Sequence, residues 1–363
     1  MGLATTLPSS FTCSSEGMMM RIIRIVLGMF LIGIVLYLVN GVLIRKSYYM
    51  ESIVRFLSSS DIEVDIIGFG SSHMYCTLNP VEIFRRAKLR SYVACTQRQP
   101  VEITYNYIKR ALSVHYPKVV ILETLMFFNS PHPTEIEAGV AHDALDPIPY
   151  DWDKCRMVFS SSYLTNVDSL ILPFLKYHSR WKELGFRDWR SNMTPDKNEY
   201  PIMGFRLFGN VVSNNVKQID YGMCQPSVLD EYYVEILNRI AQLVSSHGAQ
   251  LVLLTAPLNA VSGEKFKSGI RAIDEFAKAK GIPHVDMLRD FDRTAIDGAV
   301  DFHDRTHLNV WGSEKASRYI AKKLLGHFNL KANDDLETLA KWESECRRYD
   351  EIKASFQNGR NAE

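Results

Sequence analysis

From Ile25 to Ile44 the chain reads "IVLGMFLIGIVLYLVNGVLI", a run without a single charge, interrupted only by Asn40 and three glycines. As a helix this run spans roughly 30 Å, the thickness of a bilayer's hydrocarbon core. Soluble helices are rarely apolar on every side over such a length. Arg21 and Arg24 precede the run, and Arg45 and Lys46 follow it. A cleaved signal peptide would have a shorter apolar region and a small-residue cleavage site. The expectation is a transmembrane helix over residues 25–44, preceded by a tail over 1–24. Basic residues on both flanks leave its orientation undecided. "MMM" at Met18–Met20 offers a second start for the chain, and "MGLATT" fits the myristoylation pattern without adding much to an anchor.

Beyond Lys46 the apolar residues follow two rhythms. "VDIIGFG" from Val64, "SYVAC" from Ser91, "KVVILET" from Lys118, "AQLVLLTAP" and "IPHVDM" are short, largely β-branched runs expected to form buried parallel strands. Between them lie segments of helical spacing: Pro100–Leu112, Ser227–Ser246 with Gly248 as its stop, a helix ending at Gly281, and one from Gly312. Alternation of this kind predicts an α/β fold whose parallel sheet is covered on both faces. Residues 47–128 and 226–330 carry the pattern. Residues 129–225 lose it and read as an insertion or cap over the strand ends, one wall of a substrate groove. Residues 331–363 form a charged, helix-prone tail.

With 42 basic and 41 acidic side chains the net charge is +1, and no basic stripe with interleaved aromatics points to nucleic acid. The six cysteines have no zinc-ligand spacing and give no disulfide framework. No metal or cofactor is expected.

Two short stretches carry chemistry. "GFGSSHM" puts Ser71 and Ser72 where a buried strand meets a helix, the edge of an open parallel sheet at which ligands bind. "DFHDRTHLNVWG" puts Asp304 three residues before His307, ahead of the last helix. A serine needs a base, and the base needs an orienting carboxylate. The three-residue spacing lets Asp304 reach Nδ1 of His307 and leaves Nε2 for Ser72. His303 lacks that spacing. Glu123, ending an apolar strand, is a candidate buried carboxylate of raised pKa or a partner for the insertion. His73 and, within the insertion, Tyr177, His178, Arg180 and Trp181 are candidates for a substrate groove by residue type.

These two stretches resemble the first and last sequence blocks of the SGNH/GDSL hydrolases, with Ser72 at the nucleophile position and Asp304 and His307 in the triad positions. The region from about Val64 to Lys323 is similar to a membrane-anchored branch that includes the D-alanyl-transfer protein of teichoic-acid modification and the O-acyltransferases and esterases of exopolysaccharide export. The resemblance implies a three-layer, flavodoxin-like SGNH domain on the outer side of the cell membrane. It implies an acyltransferase or esterase acting on acyl groups of cell-envelope polysaccharide through an acyl-Ser72 intermediate. It also implies a multi-pass membrane O-acyltransferase as partner.

Two departures stand out. Arg98 in "ACTQRQP" lies near the glycine of the family's second block, and "LETLMFF" lacks the third block's asparagine, with Asn129 close by but out of register. The oxyanion donors are then the N–H of Ser72 with help from Gln97 or Gln99. The alternative reading is a non-catalytic SGNH-like module that binds polysaccharide or scaffolds an export complex.

Overall fold

A computed structural model of the chain describes residues 12–44, 48–128, 138–146, 148, 151–160, 167–189, 201–216, 218–219, 226, 229–258, 264–332 and 335–360. The chain divides into two compact units, one comprising residues 1–45 with 171–193, the other 46–170 with 194–363.

The first unit is built on α1 (Thr12–Leu43). Its stretch Gly17–Leu43 has a mean hydropathy of 2.7 and none of its most apolar window is buried, so it is a helix long and apolar enough to cross a membrane.

The second unit is a mixed α/β body. After α2 (Tyr48–Ser58) the chain forms β1 (Ile66–Phe69), α3 (Ser72–Thr77), α4 (Pro80–Ala87), β2 (Ser91–Val93), α5 (Val101–Val114) and β3 (Val119–Glu123). The short helices α6 (Ala138–Leu145), α7 (Trp152–Ser160) and α8 (Val167–Ile171) follow; α9 (Phe174–Tyr177) and α10 (Phe186–Trp189) belong to the first unit. The second unit resumes with α11 (Glu231–Ser246), β4 (Gln250–Thr255), α12 (Glu264–Lys280), β5 (His284–Asp286), α13 (Val310–His327) and α14 (Leu336–Arg360).

All four strand pairings are parallel, in the order β2-β1-β3-β4-β5. Because side chains alternate across a strand, covered faces require successive residues to be buried. Ile66 and Ile67 are both fully buried, as are Val119 through Leu122. Ile66, Val119, Ile121, Val252 and Leu254 share one cluster with Ile83 of α4 and Ala316, Ile320 and Leu324 of α13. The alternate residues Ile67, Val120 and Leu253 are buried too, with α5 and α11 packed on each other and on β1 and β4.

Local signals set several helix ends. Gly248 and Gly281 adopt φ of 73° and 65°, the left-handed conformation glycine favours after a helix. Asp230 caps α11, accepting from the Tyr232 N–H at 2.9 Å, so that helix begins at Glu231, later than its apolar spacing suggests. Asn309 caps α13 through the N–H groups of Trp311 and Gly312. The charged tail docks as α14, setting Trp342, Cys346, Tyr349 and Ile352 against Phe84, Phe205 and Val310.

Residues 129–225 are not a single body. The part from 171 to 193 goes with α1, while 201–216 runs through the α/β unit without forming a helix or strand. There its backbone bonds to β2 (Val93 N–H to Met203 O, 2.9 Å), to α3 (Arg206 N–H to Tyr75 O, 3.1 Å) and to the 298–310 region (Val212 N–H to Phe302 O, 2.9 Å).

Candidate active site

The sheet order reverses direction at β1: β2 lies on one side of it and β3 on the other. In open parallel sheets the crevice at such a reversal, outside the strands' carboxyl ends, is where ligands bind. Ser72 opens α3 directly after β1.

Gly70 makes that turn possible. Its φ is 149°, and a Cβ there would stand 2.5 Å from the Cβ of Glu123. Ser71 then caps α3: its Oγ accepts from the His73 N–H at 3.4 Å and donates to Glu123 Oε2 at 2.8 Å. Glu123 accepts from the Leu125 N–H with its other oxygen at 2.6 Å. Burial pushes its carboxyl above the ordinary value, against the pull of these hydrogen bonds. The carboxylate sits behind the serine turn and braces it.

His307 Nε2 lies 2.8 Å from Ser72 Oγ, and its Nδ1 lies 2.8 Å from Asp304 Oδ2. Ser72 and His307 are 235 residues apart in sequence. The Asp304 carboxylate is held from three more sides: Oδ1 accepts from the Thr306 N–H at 2.7 Å, the His307 N–H at 2.9 Å and the Thr306 hydroxyl at 3.2 Å. Burial alone would raise the Asp304 carboxyl, but the Thr306 N–H and the His307 imidazole outweigh it and hold it at about 2. Asp304 is therefore ionised throughout the neutral range and accepts from Nδ1–H. That fixes the tautomer whose Nε2 can take a proton from Ser72.

The turn carrying Asp304 and His307 is pinned on its far side. Asn214 Nδ2 donates to the Asp304 carbonyl at 2.7 Å. Asn309 Nδ2 donates to Val300 O at 2.7 Å while its Oδ1 caps α13. An asparagine before a helix is a legible capping signal. Asn214 gives none, since its partner is 90 residues away.

The residues expected to line a groove or an oxyanion site have identifiable neighbours. His73 is buried and stacks on His307 with ring centroids 4.9 Å apart. Burial, and then the neighbouring His307, push its pKa down to about 3, so it stands as a neutral ring beside His307. Gln99 is fully buried and committed within its own loop: its carbonyl accepts from the Thr96 N–H at 2.8 Å and its amide donates to Thr104 Oγ1 at 2.9 Å. Its side-chain amide is thus engaged within the loop. Gln97 is exposed, beside Arg98, which holds a left-handed φ of 49°. The Ser72 N–H, at the first position of α3, has no intrahelical acceptor and stays available for an oxyanion. His303 stacks on Phe208 at 4.2 Å and uses its backbone N–H on His307 O. Tyr177, Arg180 and Trp181 lie in the unit built on α1, where Arg180 is bonded to Leu43 O and Asp188. Asn129 lies outside the described residues. Among the described residues no group of three or more His, Cys, Asp or Glu side chains could hold a metal ion.

No protein family matches the chain, and no curated protein matches it.

Proposed function

We propose that the protein is a membrane-anchored serine acyl-transfer enzyme of the SGNH/GDSL hydrolase type, acting on acyl groups of cell-envelope polysaccharide. The observation that carries the reading is the unbroken chain Ser72 Oγ, His307 Nε2, His307 Nδ1, Asp304 Oδ2, with 2.8 Å at each hydrogen bond. The sheet order 2-1-3-4-5, which is that of flavodoxin-like sheets, and the position of Ser72 after β1 agree with it. The left-handed Arg98 keeps, at the second-block position, a backbone conformation that glycine favours.

In this mechanism the Ser72 hydroxyl gives its proton to His307 Nε2 as Oγ attacks the ester carbonyl of an acyl donor. Asp304 stabilises the imidazolium, and the Ser72 N–H faces the developing oxyanion. Collapse breaks the ester bond, the leaving alcohol takes the proton from Nε2, and acyl-Ser72 remains. A sugar hydroxyl or water then loses its proton to Nε2, attacks acyl-Ser72 and regenerates the serine. An outward-facing site with a multi-pass O-acyltransferase supplying the acyl group completes the proposal, which rests at those two points on the family resemblance.

A second reading, a polysaccharide-binding or scaffolding module without turnover, is favoured by the commitment of Gln99, which leaves the oxyanion site short of a side-chain donor. Fluorophosphonate labelling of the full chain in detergent separates the two. Wild type is expected to label, and Ser72→Ala and His307→Ala to lose labelling. Asp304→Asn, which presents an amide to Nδ1 and disfavours the required tautomer, is expected to slow it by roughly four orders of magnitude. Folded wild type that stays unlabelled moves the binding module ahead.

A further inference from the structure

The segment whose aromatic and basic residues suggested a sugar groove has another partner. α9, the single turn His178–Lys182 and α10 pack against α1 within one compact unit. Asn40, the polar interruption of the apolar run, is 5% exposed and its Oδ1 accepts from the Phe174 N–H at 2.8 Å. Arg180 donates to the carbonyl of Leu43, one of the carbonyls a helix end leaves without a partner. Its other arm reaches Asp188 Oδ1 at 2.7 Å, and Asp188 Oδ2 accepts from the Gly185 N–H at 2.9 Å. The segment is thus stapled to the last turns of α1. Asn40 stands only about 6 Å along the helix from Ile44, where the apolar run ends.

What the segment presents outward is unusual for a surface in water. Trp181 is 66% exposed, Phe186 74% and Leu175 39%. Lys176 and Lys182 are exposed beside them, their ammonium groups 5.0 Å and 5.7 Å from the ring centres of Tyr177 and Trp181. Aromatic rings with long cationic side chains, held where an apolar span ends, match the layer in which acyl chains give way to headgroups. Rings settle there, and lysines reach outward to phosphate.

We propose that residues 172–189 form a collar seated in the headgroup layer of the membrane, at the C-terminal end of α1. Trp181, Phe186 and Leu175 enter the acyl boundary, and Lys176 and Lys182 meet lipid phosphates. The inference rests on α1 spanning the membrane, and on no other part of the proposed function. The collar fixes the height at which the chain leaves the bilayer.

The test uses the full chain in phosphatidylglycerol–phosphatidylcholine vesicles containing lipids brominated near the carbonyl end of the acyl chain. Tryptophan quenching is compared between wild type and Trp181→Phe, a conservative change at an exposed ring. The expected result is bromolipid quenching in wild type and a clear loss of the quenched fraction in the variant. Alkaline carbonate extraction of the same vesicles separates the two ways of failing. If both proteins resist extraction yet are quenched alike, the collar is overturned and the span stands. If carbonate releases the wild type, span and collar fall together.

Discussion

Glu123 ends a buried strand with its carboxyl wedged behind the serine turn, and its raised pKa means that the folded protein binds the proton more tightly than the unfolded chain does. For an acid shifted upward, the folded state is favoured by protonation. Stability therefore falls as pH rises from the ordinary value of 4.5 through the higher folded value. Glu123→Gln has no proton to lose, so its stability relative to wild type is expected to improve as pH rises through that window. Thermal melts of both proteins at about pH 5 and pH 8 check this; parallel pH curves would place the titration elsewhere. Asp304 behaves in the opposite sense. Its lowered pKa makes its contribution complete above 3.8 and lost only as pH falls through about 2, so no pH effect near neutrality arises from it. The Asp304–His307 contact and the place of Ser72 at a strand end follow from the three-residue spacing and from the apolar run before the serine. The buried carboxyl of Glu123 is legible from its place at the end of an apolar strand, but its hold on Ser71, 52 residues away, and that of Asn214 on Asp304, 90 residues away, are not.

Among the elements, α14 shows how a charged, helix-prone tail becomes structural. Trp342 is buried and stacks on Phe84 of α4 with ring centroids 5.2 Å apart. Tyr349 Oη donates to Glu314 Oε1 at 2.8 Å and accepts from Asn79 Nδ2 at 2.9 Å. Asn79, with Leu78, joins α3, which carries Ser72, to α4. Trp342→Ala is expected to cost about 3–5 kcal/mol, as large buried aromatics do. A chemical-denaturation midpoint on the full chain in detergent measures it, and a loss below about 1 kcal/mol would mean that α14 is dispensable. Helix and strand types follow from the 3.6- and 2-residue rhythms of the sequence. Helix ends shift by a few residues wherever a cap such as Asp230 or Asn309 decides them.

For the whole molecule, the chain divides into two compact units, one holding the apolar helix and the other Ser72, Asp304 and His307. Leu31 and Ile34 lie in the exposed apolar run of α1. Replacing both with arginine adds about 2.5–3.5 kcal/mol of insertion cost per residue at a helix centre. The double variant is expected to leave the membrane fraction on carbonate extraction while keeping its fluorophosphonate labelling. Loss of labelling in a folded, released variant would tie the site to the anchor.

The sequence by itself determined the apolar helix, the alternating α/β pattern and the two stretches that supply Ser72, Asp304 and His307. Each depends on periodicity, length or spacing within a short window, and such properties are written locally. Only the tertiary structure decided that His73 stacks on His307, that Gln99 bonds within its own loop, and that Tyr177, Arg180 and Trp181 join the unit built on α1. In each case residue type left several partners open. The choice among them came from which groups the packed chain brought into contact, from a few residues apart for Gln99 to more than 200 for His73 and His307.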